Sequence, residues 1–163
     1  MEEAAAEVCR VNDMNGFDRP TWDNLLSKSM LVVTELDEAC TATKDSIADP
    51  LNEELADTAV RLLHILESVW PLDWNMRGYI QRHMSVYHPI EILLWPIVHQ
   101  ICWAVEFWRK DKVHDTRICL EQALAKINEL ACRCGYDLFT EVIEKVAKNA
   151  KRGHLHGKKR SDG

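Results

Sequence analysis

The chain has 163 residues, 47% of them hydrophobic and 28% charged, with a formal net charge of −6. These proportions belong to one globular domain with enough chain to bury a core, and they exclude a disordered or fibrous protein. Six Gly and five Pro are too few for a turn-rich all-β sandwich.

The most apolar stretch, residues 92–105, is broken by Pro96, His99 and Gln100 and is shorter than the roughly 20 residues a bilayer span needs. The acidic start MEEAAAEVCR lacks a signal-peptide pattern. A soluble, cytoplasmic protein with no membrane partner is expected. The six cysteines form no CxxC pair, and Cys40, Cys102 and Cys119 lie among helical apolar residues, so they read as reduced core thiols. From Lys145 to Arg160 every charged residue is a cation, whereas the rest of the chain is strongly acidic. A basic surface confined to one end does not suit a nucleic-acid binder. It does suit a site where carboxylates hold cations and Lys or Arg holds phosphate.

A first helix opens at Pro20 and carries Trp22, Leu25, Leu26, Val33, Leu36 and Cys40, mostly at three- and four-residue steps. Asp49-Pro50 supplies an N-cap and a first-turn proline for a second helix. Its stripe is Leu51, Leu55, Ala59, Leu62, Leu66 and Val69, and Pro71 stops it. Residues 71–88 read as irregular or briefly helical. Pro89 opens a third helix running to about Lys110 and kinked at Pro96. A fourth runs from Val113 to Cys134, with Gly135 just past its end. Asp137 caps a fifth that ends at Gly153. No stretch alternates with period two, so the fold class is all-α. The tryptophans, Trp22 among them, read as core or interface residues, and His83 and His88 as structural.

Helix one carries Glu35 and Glu38, and helix two carries Glu54 and Asp57. Three residues advance a helix by about 300°, so each pair projects from one face about 4.5 Å apart along the axis. The two pairs lie at mirror positions about residue 46, inside the predicted turn. An antiparallel hairpin therefore brings them level. Carboxylates meeting there repel unless a cation sits between them, and an all-oxygen set favours Mg²⁺ or Mn²⁺ over zinc. Glu54, Asp57, Arg61 and His64 form a polar stripe on helix two, and Lys28, Glu35 and Glu38 another on helix one. Two merely solvated faces are the competing reading.

The segments VVTELDEACTA and EELADTAVRLLHI, and the closing run GYDLFTEVIEKVAKNAKRGHLHGKK, resemble the MazG-like branch of the all-α nucleoside triphosphate pyrophosphohydrolases. The resemblance covers about residues 20–70 and 135–160. It implies a single domain over 1–163, with its core at about 20–70 and 135–153. Two extra helices are inserted at about 71–134, and a basic tail occupies 153–163. It further implies hydrolysis of a nucleoside triphosphate to monophosphate and pyrophosphate, in a nucleotide-pool-cleansing role. Glu35, Glu38, Glu54 and Asp57 would hold Mg²⁺ or Mn²⁺, and Glu38 would orient or deprotonate the water. Lys28, Arg61, Lys145, Asn149, Arg152, His156 and Lys158 would hold the substrate. A homodimer or higher homo-oligomer is implied as well, because one hairpin does not enclose a nucleotide alone. The alternative is a non-catalytic helical interaction module with an acidic groove. A di-iron bundle is excluded because the chain has no ExxH pair.

Overall fold

The computed structural model describes residues 2–42, 50–71 and 90–152. They form six helices: α1 (Glu2–Met14), α2 (Leu25–Ala42), α3 (Leu51–Val69), α4 (Ile90–Arg109), α5 (Val113–Arg133) and α6 (Leu138–Ala150). No strand occurs among the described residues, and the all-α class holds. The expected turn at 43–49, including Asp49, lies outside the described residues, as do residues 72–89 with Trp74, His83 and His88.

α3 is the central helix, packed against α1, α2, α5 and α6. Leu55, Ala59, Leu62, Leu63, Ile65 and Leu66 are all at most 1% exposed, so a wide apolar face is enclosed while Glu54, Asp57, Arg61 and His64 form a polar stripe. α4 lies against α2 and α5, through Leu94, Ile97, Ile101 and Ala104. α5 in turn packs on α3 with Leu120, Leu124 and Ile127 fully buried.

Three helix ends share one device. After α1, Phe17 N–H donates to the Asn12 carbonyl and Gly16 N–H to that of Asp13, with Gly16 at φ 74°. After α5, Tyr136 bonds back to Ala131 and Gly135 to Cys132, with Gly135 at φ 84°. After α4, Lys112 bonds to Phe107 and Asp111 to Trp108, and there Asp111 takes the left-handed position at φ 55°. Each is a Schellman closure, which satisfies carbonyls that the helix leaves open.

Several boundaries differ from the sequence reading. α1 was not anticipated. Its inner face is Ala4, Ala5, Val8 and Val11, each at most 2% exposed, and it packs on α3 and α6. α2 begins at Leu25 rather than Pro20, because Thr21 and Asn24 form a turn of their own. Thr21 N–H donates to Asn24 Oδ1 at 2.8 Å and Asn24 N–H to Thr21 Oγ1 at 3.3 Å. Pro50 stands at the cap of α3 with ψ 145°, outside the helix rather than in its first turn. Pro96 lies inside α4, as expected. Asp137 caps α6 as expected, accepting from Phe139 N–H at 3.3 Å, but that helix ends at Ala150 rather than Gly153.

The tryptophans divide between core and surface. Trp22 packs edge-on to Trp70, ring centroids 6.1 Å apart, and Trp108 donates to the Trp22 carbonyl at 2.8 Å. Trp95 and Trp103 stand on the outer side of α4, 70% and 42% exposed.

No atom lies within 4 Å of the place a Cβ on Gly135 would occupy, so a substitution there meets backbone strain alone. Gly135→Ala should destabilise the protein by about 1–2 kcal/mol, and Gly135→Asn by less, since Asn tolerates the left-handed region. Urea unfolding of the two variants checks the order.

Candidate metal and phosphate site

The expected convergence of carboxylates occurs, with a different membership. Glu35 and Glu38 from α2 and Glu54 from α3 each bring one carboxylate oxygen within 4.8 Å of the others. Glu35 is 9% and Glu54 6% exposed, whereas Glu38 is open to solvent. Glu35 also meets Arg61 of α3.

Asp57 is not one of the three. Its Oδ2 is held by Lys145 Nζ of α6 at 2.6 Å. Lys145 is 6% exposed and also reaches Glu53 Oε2 at 3.4 Å, where Lys148 joins at 2.7 Å. Burial alone would pull the Lys145 ammonium down, but Asp57 and Glu53 together hold it above the usual lysine value. Arg61 Nε donates to Glu35 Oε1 at 3.1 Å. Burial pushes the Glu35 carboxyl above the ordinary range, with Asp57 and Glu38 adding to the rise and Arg61 opposing it.

Beside these pairs lies a cavity of about 370 Å³. From α2 it receives Lys28, Leu31 and Glu35, and from α3 Asp57, Val60, Arg61, His64 and Ile65. α6 contributes Asn149 and Arg152 at its C-terminal end. Asn12 of α1 and the connecting residues Phe17, Asp18 and Pro20 close it. Lys28 Nζ is also fixed to the Asp18 carbonyl at 2.8 Å, and Asn15 Nδ2 ties α1 to the Asn149 carbonyl at 3.0 Å. None of the described residues of α4 or α5 lines the cavity.

Of the expected substrate residues, Lys28, Arg61, Asn149 and Arg152 therefore share one cavity. Lys145 is committed to carboxylates instead. His156 and Lys158 lie outside the described residues. Trp22 packs in the core. The sequence reading did not single out Asn12, Phe17, Asp18 or His64 as site residues. Asn12, Phe17 and Asp18 follow from the unanticipated α1, whose end is announced by Asn15-Gly16. His64 belongs to the same stripe as Glu54, Asp57 and Arg61, and its spacing was the available signal.

The donor set fits a hard divalent cation. It consists of carboxylate oxygens only, clustered at a separation that one ion's coordination shell can bridge, and it is partly withdrawn from water. The chain, compared with known proteins, matches no family model, no curated protein and no solved structure. Its function therefore rests on this geometry and on the sequence resemblance.

His64 is 5% exposed and its Nε2 has no hydrogen-bond partner, an arrangement that costs about 1–3 kcal/mol. Burial first, then the nearby Lys28, Arg61 and Arg19 cations, push its imidazole down to about 4 from 6.5. Between those pH values the unfolded chain takes up a proton that the folded protein refuses. Stability from this group is complete above pH 6.5 and is lost on acidification toward pH 4. Glu35 acts oppositely, since its raised carboxyl takes a proton early in the folded state. Comparing wild type with His64→Leu isolates the imidazole. Wild type should lose about 2 kcal/mol more than the variant between pH 7 and pH 4.5, read from urea unfolding at both pH values. Equal losses would show that the imidazole is not held neutral.

Proposed function

We propose that this protein is a metal-dependent nucleoside triphosphate pyrophosphohydrolase, converting a (d)NTP and water to a (d)NMP and pyrophosphate in the cytoplasm. The supporting observation is the meeting of Glu35, Glu38 and Glu54, of which Glu35 also lines a cavity with Lys28, Arg61 and Arg152. Carboxylates for a cation and cations for phosphate thus stand in one place.

In this reading Glu35, Glu38 and Glu54 hold Mg²⁺ or Mn²⁺, which when bound neutralises phosphate oxygens and acidifies water. Glu38, the solvent-open member of the trio, orients the attacking water and accepts its proton. Arg61, whose side chain is 36% exposed, can extend its free guanidinium edge to phosphate, a geometry suited to paired contacts. Arg152 and Lys28 add positive charge at the cavity wall. Lys145 steadies Asp57 rather than touching substrate, and Asp57 contributes negative charge behind Glu35.

A homo-oligomer, implied by the family resemblance, belongs to the same reading; within one chain α1, α6 and the segment joining α1 to α2 line the cavity. Sedimentation at micromolar concentration decides the oligomeric state separately.

Glu38→Gln should lower magnesium-dependent pyrophosphate release at least a hundredfold and leave metal-free stability equal or higher, since it relieves repulsion within the trio. Asp57→Asn should also lower release, but it leaves the buried Lys145 ammonium only its longer contact with Glu53 and should cost about 1–3 kcal/mol of stability. Product analysis with magnesium and unfolding without it test both halves. Wild-type turnover by Glu38→Gln would remove Glu38 from the reaction.

A further inference from the structure

We propose that His64 reads the uncharged ring of the ligand, which is the nucleobase in the pyrophosphohydrolase reading on which this inference rests. Position comes first. Glu54, Asp57, Arg61 and His64 follow one another at steps of three, four and three along α3. His64 thus shares the face of the carboxylate trio but lies about 15 Å farther along the axis from Glu54. On α2, Lys28 lies about 10 Å from Glu35 in the matching direction. The His64 end of the cavity is therefore the end remote from the trio. The part of a ligand that is not phosphate falls there when its phosphates sit at the carboxylates.

Cations stand at that end, Lys28 and Arg61 among them, but uncharged polar groups stand there with them. His64 lines the cavity with an Nε2 that has no hydrogen-bond partner. Burial first, and then its cationic neighbours, keep the ring neutral, so it offers one donor and one acceptor and no charge. Asn149 enters the same cavity from α6 with its Oδ1 likewise unpartnered. Phe17 is half-buried in the wall and supplies an aromatic face. Two unsatisfied polar atoms and a ring face make a complement for a planar heterocycle with hydrogen-bonding edge groups. A site built around such groups rejects a ligand that leaves them unpaired far more strongly than an apolar pocket rejects a wrong shape.

The test measures binding, not turnover. Calorimetry with magnesium would compare the four ribonucleoside α,β-methylene triphosphates and inorganic tripolyphosphate on wild type, His64→Leu and His64→Gln. Wild type should prefer one base at least tenfold. His64→Leu should weaken the preferred analogue about tenfold and flatten the preference, with tripolyphosphate affinity unchanged within twofold. His64→Gln, which keeps a donor and an acceptor, should restore part of the preference, and it carries the test alone if the leucine variant does not fold. Equal affinity of wild type for all four bases, no binding of any analogue, or a preference that survives both substitutions would overturn the proposal. Base-selective binding without pyrophosphate release from the parent nucleotides would overturn the hydrolase reading and leave the role of His64 standing.

Discussion

A helix enclosed by four others leaves no polar residue without consequences, and α3 is such a helix. Its sequence nevertheless places Glu54, Asp57, Arg61 and His64 in one stripe. Each must be answered from a neighbouring helix or carry the cost of burial. α2 answers Arg61 with Glu35 at 3.1 Å, and α6 answers Asp57 with Lys145 at 2.6 Å. These two pairs link α2, α3 and α6 beside the cavity, and the second ties Asp57 to a cation of α6. Glu35 and Glu54 are drawn into the interface while Glu38 stays at its rim. The trio is thus as much a result of where the cations went as of where the acids started.

The same accounting sets the balance of charge. Had Lys145 and Arg61 been absent, four carboxylates would share one half-buried groove with nothing between them, a strongly repulsive arrangement. With both present, Glu35 and Asp57 each have a cation in contact. Arg61 is the more versatile of the two, because one edge of a guanidinium can hold Glu35 while the other stays free. Lys145 has no such freedom at 6% exposure, and its placement marks it as a strut between α6 and α3.

Much of this was legible in the chain. The apolar periodicity at Leu55, Ala59, Leu62 and Leu66, the cap at Asp137 and the stop at Gly135 each have a local cause, and each structure followed. The mirror spacing of Glu35–Glu38 and Glu54–Asp57 brought three of the four acids together. Asp57 departed because its partner lies on α6, and spacing within a hairpin carries no information about a cation from a distant helix. α1 escaped because its buried face is mostly small residues, Ala4 and Ala5 among them, whose periodicity is weak beside that of leucines. Asn15-Gly16 was the stronger sign, since a glycine in the left-handed position ends a helix that must already exist. His64 was visible as a stripe residue, but the lack of a partner for its Nε2 depends on what three other elements present to it.

α4 and α5 lie apart from the residues that line the cavity. α4 rests on α2, and α5 rests on α3, so both cover the side of the pair that faces away from the cavity. The cavity itself is closed by α1, by the segment between α1 and α2, and by the end of α6. α3 therefore has two environments: leucines against α5, and a polar stripe toward the cavity. An apolar change on the α5 side alters the support of α3 without touching a polar group, whereas a single charge change on the cavity side repartitions the pairs. That asymmetry lets the outer face of α4, with Trp95 and Trp103 exposed, vary independently of the carboxylates. It also leaves the end of α1 and the end of α6, rather than α4 and α5, as the places where the cavity's shape is set.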